Sequence, residues 1–148
     1  MKIQDKKLAL GELRYELEMF NKTSEHLELS KCEDKTERRA YLESFLLHTR
    51  NIVDFLEDAN GKDDITCSDF GICKVSIQLP SNNTKRQINK YLAHITKQRI
   101  NKESPEWKYT EIKKEVHTYL KNFIEQLPTD CFPKDGYGSK TAFKSLLN

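Results

Sequence analysis

The chain has 148 residues, of which 36% are hydrophobic and 32% are charged, and its formal net charge is only +2. This length suits one domain with its own core, and interspersed charges of both signs suit a helical bundle with hydrated outer faces. The small net charge does not indicate a long-range field for nucleic acid, so such binding would depend on a local basic patch.

Targeting and compartment are inferred from apolar runs and cysteines. The charged start Met1–Lys7 is not followed by an apolar segment, and no run approaches the roughly 20 residues of a membrane span. We therefore expect a cytoplasmic protein without membrane contact. Its cysteines are then expected to be reduced thiols; they are Cys32, Cys67, Cys73 and Cys131.

Apolar periodicity predicts two long helices in the first 60 residues. The first is predicted over Lys6–Leu29 and the second over Thr36–Ala59, with Thr36 as its N-cap. The second helix is expected to be the most buried, because its apolar stripe is broad. That stripe comprises Leu42, Phe45, Leu46, Thr49, Ile52, Val53 and Leu56.

Two further helices are predicted after a region rich in Gly, Pro and Asn. The third runs over Asn83–Asn101, and the fourth begins at Pro105 after a Ser104 N-cap and ends at Leu127 before Pro128. A short helix is predicted in the tail over Lys140–Leu147. Residues 73–79 alternate like a strand but have no partner strand, so we interpret them as an extended segment packed on the bundle.

The predicted fold is therefore all-α. It is a single four-helix bundle domain over residues 1–148, with an irregular loop between helices 2 and 3 and a short C-terminal tail.

Two polar clusters interrupt the apolar pattern of the helices, as functional sites often do. On the second helix, Glu43, Arg50 and Asp54 share one face. They predict either a salt-bridge network or solvated face, in which Arg50 pairs with Glu43 or Asp54, or an anion site around Arg50. On the third helix, His94 lies one turn after Lys90 and is either a structural histidine or a general acid or base.

Two segments together resemble the HEPN superfamily, in particular its small stand-alone members of the abortive-infection type. They are Glu43–Leu56 and Ile88–Ile95, and the second carries Asn89 and His94. The resemblance implies a helical homodimer that acts in defence or toxin–antitoxin biology, often as a metal-independent ribonuclease. This sequence departs from the family pattern in having Ile88 where an Arg is expected before the Asn.

The resemblance also implies catalytic roles for His94, Asn89 and Arg50. His94 would be general base on the ribose 2′-hydroxyl or general acid on the leaving oxygen. Asn89 would orient the phosphate or His94. Arg50, or alternatively Arg86, would stabilise the developing charge.

A basic stretch without any Asp or Glu extends from Lys85 to Lys102. It predicts either a solvated face or a surface that contacts RNA, with Arg86, Lys90 and Lys97 as the candidate binding residues. No metal-ligand spacing or phosphate-binding glycine loop is present, so no metal and no cofactor are predicted.

Three interpretations therefore remain open. The first is a HEPN-like protein that binds or cleaves RNA. The second is a non-catalytic module for dimerisation or protein interaction. The third is a structural domain in which Arg50 and His94 only satisfy one another.

Overall fold

The computed structural model describes residues 1–29, 34–59, 61–80, 84–93 and 106–148. These residues contain helices and loops but no β-strand, which confirms the all-α prediction. The α-helices are α1 (Ile3–Glu28), α2 (Lys35–Glu57), α3 (Thr84–Ala93), α4 (Tyr109–Gln126) and α5 (Lys140–Ser145). Two short 3₁₀ helices lie at Cys67–Phe70 and Thr129–Cys131. No helix in these ranges is long and apolar enough to cross a membrane.

The bundle is organised around the antiparallel pair α1 and α2. His26 stacks on Tyr41 near one end, and Phe20 stacks on Phe45 further along, with ring centroids 5.1 Å apart. Both phenylalanines are fully buried. α2 also packs against α3 and α4, and its whole predicted apolar stripe is buried. The second helix therefore has the central position that its sequence predicts.

The N-terminus of α2 differs from the prediction. Asp34, not Thr36, is the N-cap, and its carboxylate accepts hydrogen bonds from the backbone N–H groups of Thr36 (2.5 Å) and Glu37 (3.4 Å). These bonds lower the pKa of the Asp34 carboxyl. Aspartate is as good an N-cap as the hydroxyl residues, and it also complements the helix dipole.

α4 begins at Tyr109 rather than at Pro105, and both Ser104 and Pro105 lie outside the described residues. Trp107 is buried with its ring edge against Tyr91, at a centroid distance of 5.8 Å. The N–H of Tyr109 donates to the carbonyl oxygen of Trp107 over 3.0 Å. This bond spans two residues rather than the four of an α-helix, and α4 begins directly after it.

Residues 72–79 after α2 form neither helix nor strand and pack on the bundle through Ile77 and Leu79, in agreement with the packed segment predicted over residues 73–79. The N–H of Val75 donates to the carbonyl oxygen of Leu56 over 3.1 Å. The N–H of Ile77 donates to the carboxylate of Glu57 over 2.7 Å. Segment 72–79 therefore supplies hydrogen-bond donors to the C-terminal turn of α2.

One amide side chain joins the tail to two long helices. The Nδ2 of Asn21 on α1 donates to the carbonyl oxygen of Leu146 over 2.8 Å, and its Oδ1 lies 2.6 Å from Nε2 of His117 on α4. Because an amide oxygen only accepts, Nε2 of His117 carries the proton in this bond. Burial, with a smaller effect from Lys113, lowers the pKa of His117 from 6.5 to about 4.

We expect this histidine to make the protein less stable in mild acid. Between its ordinary pKa of 6.5 and its folded pKa of about 4, the unfolded chain binds a proton that the folded chain excludes. The free energy of unfolding should therefore fall as the pH is lowered through this window, by on the order of 1–2 kcal/mol after solvent screening. Urea denaturation at a series of pH values measures this slope.

His117→Gln is the informative comparison, because its amide N–H can still donate to Asn21 but does not titrate. Relative to His117→Gln, the wild type should lose stability as the pH is lowered from 6.5 to 4. A difference that is constant across this range would contradict the assignment.

Candidate functional site

The exposed face of α3 carries three of the predicted site residues. Arg86 and Asn89 are exposed and Lys90 is half-buried, while Ile88 on the opposite side is 2% exposed and anchors the helix in the core. The spacing of three and four residues places Arg86, Asn89 and Lys90 side by side. We refer to these three residues as the α3 basic face.

Contacts at both ends of α3 fix its direction. Lys85 forms an ion pair with Glu57 near the C-terminus of α2. Tyr91, further along, lies against Trp107, two residues before the start of α4. Tyr109 of α4 in turn packs its ring on Phe45, twelve residues earlier on α2 than Glu57. α3 therefore runs antiparallel to α2, and its basic face is carried on a helix held at both ends.

Lys85 differs from its basic neighbours Arg86 and Lys90 because its charge is paired with Glu57. The same Glu57 carboxylate accepts from Ile77, so Lys85 helps hold segment 72–79 against α2. Arg86 and Lys90 have no ion pair with any described residue, and they are the cations that this part of α3 presents to solvent.

His94 and Lys97 lie outside the residues that the structure describes. The roles predicted for them, as a general acid or base and as a nucleic-acid contact, therefore stay predictions.

Arg50 lies in different surroundings from the α3 basic face. Its Nε is 3.4 Å from Oδ2 of Asp54, one of the two partners that the sequence predicts, and its side chain is 44% exposed. Burial raises the pKa of the Asp54 carboxyl, although the Arg50 charge opposes that effect. The salt-bridge interpretation therefore holds for Arg50 and Asp54, on a partly solvated surface.

Arg50 and Asp54 also line a cavity of about 380 Å³ between α1, α2 and the loop at residues 64–65. Its remaining charged side chains are all acidic: Glu12, Glu16 and Asp64. Four carboxylates thus surround one guanidinium, which disfavours an additional anion such as phosphate at this position. The anion site predicted around Arg50 finds no support in this arrangement.

A second polar network beside this cavity was not predicted from the sequence. Oε2 of Glu16 lies 2.6 Å from Nδ1 of His48 and accepts from Nδ2 of Asn51 over 3.1 Å. The ring of His48 is also in edge contact with Tyr15, at a centroid distance of 5.8 Å. His48 and Asn51 are one turn apart on α2, but their partner is on another helix, and nothing local in the sequence indicates it.

A histidine next to a carboxylate is an arrangement that many enzymes use for proton transfer. Here the His48 residue is only 6% exposed, so its ring is not open to a substrate. Because a carboxylate only accepts hydrogen bonds, Nδ1 of His48 donates to Glu16. The network therefore joins α1 to α2 rather than forming an open catalytic site.

No group of three or more His, Cys, Asp or Glu side chains within the described ranges is arranged to hold a metal ion. Comparison of the chain with protein-family models, curated protein sequences and solved structures finds no match.

Removing the carboxylate of Glu16 should destabilise the α1–α2 pair. In Glu16→Ala the buried N–H of His48 loses its acceptor, and we expect the free energy of unfolding to fall by about 1–3 kcal/mol. Glu16→Gln keeps a carbonyl oxygen at this place, so its free energy of unfolding should fall clearly less. Urea denaturation of both variants tests this, and equal losses would show that the hydrogen bond to His48 contributes little.

Proposed function

We propose that the protein binds RNA through the α3 basic face, as a HEPN-like helical protein. The observation that carries this proposal is the common face of exposed Arg86, exposed Asn89 and half-buried Lys90, on a helix within a stretch without Asp or Glu. Guanidinium and ammonium groups contact backbone phosphates, and an amide can hydrogen-bond to phosphate, sugar or base.

The position of α3 suits this role. The helix is held by buried Ile88 and by the ion pair of Lys85 with Glu57, so its cations are presented on a fixed support. Cations that release counterions from a nucleic acid gain affinity in proportion to the phosphates they neutralise. Because the net charge of the protein is only +2, RNA binding should depend on this local basic face rather than on the charge of the whole protein.

Cleavage of the bound RNA is the further step that the HEPN resemblance implies. Asn89 is available on the α3 basic face, and we keep His94 as the candidate general acid or base. Arg50 is engaged by Asp54 beside the other carboxylates of the cavity, so Arg86 is the better candidate for stabilising negative charge.

Binding is tested by replacing the two cations together. We expect Arg86→Gln/Lys90→Gln to bind a fluorescent single-stranded RNA about tenfold more weakly, because two phosphate contacts are lost. The salt dependence should also become shallower, by about 1.4 in the slope of log K against log salt concentration. Fluorescence anisotropy at several salt concentrations measures both quantities.

A matched control removes the same charge elsewhere. Lys114→Gln/Lys121→Gln changes two exposed lysines of α4, and its RNA affinity should stay close to wild type. If both double variants lose affinity equally, binding is a general charge effect, and the α3 basic face is not the site.

Cleavage is tested separately from binding. Purified protein is incubated with RNA in chelator, beside His94→Ala, and products are separated by gel electrophoresis. If His94 is the general acid or base, the variant should lose cleavage by at least about a hundredfold while still binding RNA. Cleavage that is unchanged in His94→Ala would remove His94 from the site but would leave the binding proposal intact.

A further inference from the structure

The surface between α1 and α2 forms a groove whose chemistry is opposite to that of the α3 basic face. Leu13 and Phe55 lie in its 380 Å³ cavity, and the charged side chains around it are Arg50 and the four carboxylates of Glu12, Glu16, Asp54 and Asp64. We call this surface, with its flanking residues, the α1/α2 groove. It is acidic although the protein carries a net charge of +2.

Exposed apolar side chains lie on the three elements that form the acidic cavity, and one of them, Ile65, lines it. Leu8 and Tyr15 lie on α1, Leu47 lies on α2, and Ile65 lies on the loop. The ring of Tyr15 contacts His48, which directly follows Leu47 on α2. Exposed apolar side chains on the elements around a concave surface offer contacts to a protein partner, and the carboxylates add charge selectivity.

We propose that the α1/α2 groove binds an amphipathic helix of a protein partner that presents apolar side chains and lysine or arginine. A groove between two antiparallel helices accepts a third helix along its length, with anchors spaced three and four residues apart. Cations of the partner complement the excess of four carboxylates over one guanidinium, and its apolar side chains cover Tyr15, Leu47 and Ile65.

Charge complementarity also decides against other occupants. RNA and anionic lipid surfaces would be repelled by the carboxylates. A second copy docked groove to groove would place the acidic side chains of the two copies opposite each other, which opposes a symmetric dimer at this surface. This proposal is independent of RNA binding by α3.

The probe for this proposal is a synthetic helical peptide of leucine and lysine, with leucines spaced three and four apart. A peptide with glutamate in place of every lysine is the reference. Fluorescence anisotropy with the full chain should show binding of the lysine peptide only. Glu12→Gln/Asp64→Asn should weaken that binding about tenfold, because two favourable charge contacts are lost.

Asp64→Asn keeps the side-chain oxygen that accepts from the N–H of Gly61 over 2.9 Å, so the loop should keep its shape. The matched control Asp130→Asn/Asp135→Asn removes two exposed carboxylates outside the groove and should leave binding unchanged. Leu47→Gln removes an exposed side chain and should weaken binding several-fold while the urea midpoint stays near that of wild type.

Three results would overturn the proposal. They are equal affinity for the lysine and glutamate peptides, equal loss in the groove and control double variants, and no binding of the lysine peptide at low salt. Sedimentation velocity under the same conditions adds one more: a dimer that dissociates in Glu12→Gln/Asp64→Asn would show that a second copy occupies the groove.

Discussion

The contact between α1 and α2 is the constraint on which the rest of the structure depends. Phe20 and Phe45 stack at its centre without exposure to solvent, and burying two such rings contributes several kcal/mol of hydrophobic stabilisation. α3 and α4 pack on α2, and the tail is tied to α1 through Asn21. Both candidate surfaces are presented by this pair and the helix packed on it.

The distribution of charge is the feature on which both of our proposals rest. Acidic side chains gather between α1 and α2, whereas the described part of the acid-free stretch lies on α3. Because the total is near neutral, each surface has a local field of its own sign that reaches about one Debye length. If the protein binds RNA and a basic protein helix as we propose, this division would direct each of them to a different face.

Helix positions could be predicted from sequence because apolar periodicity reports directly on burial, as the buried stripe of α2 shows. The starts of the helices were predicted less accurately: Asp34 and not Thr36 is the N-cap of α2, and α4 begins at Tyr109 and not at Pro105. In the candidate site, the sequence predicted Arg86 and Lys90 as RNA contacts and Asn89 separately as a catalytic residue, and their common side of α3 was recognised only from the helix in the structure. The Glu16–His48 contact could not be predicted, because its two residues are 32 positions apart and lie on different helices.

The connection between α2 and α3 has a consequence for how this chain can vary in length. Long surface connections usually tolerate insertions and deletions, and they are common sites for tags or circular permutation. Residues 61–63 are exposed and suit such changes. Val75 and Ile77, in contrast, donate to Leu56 and Glu57 in register, so adding or removing one residue between them would break one of these bonds. We therefore expect insertions and deletions to be tolerated at residues 61–63 but not between Val75 and Ile77.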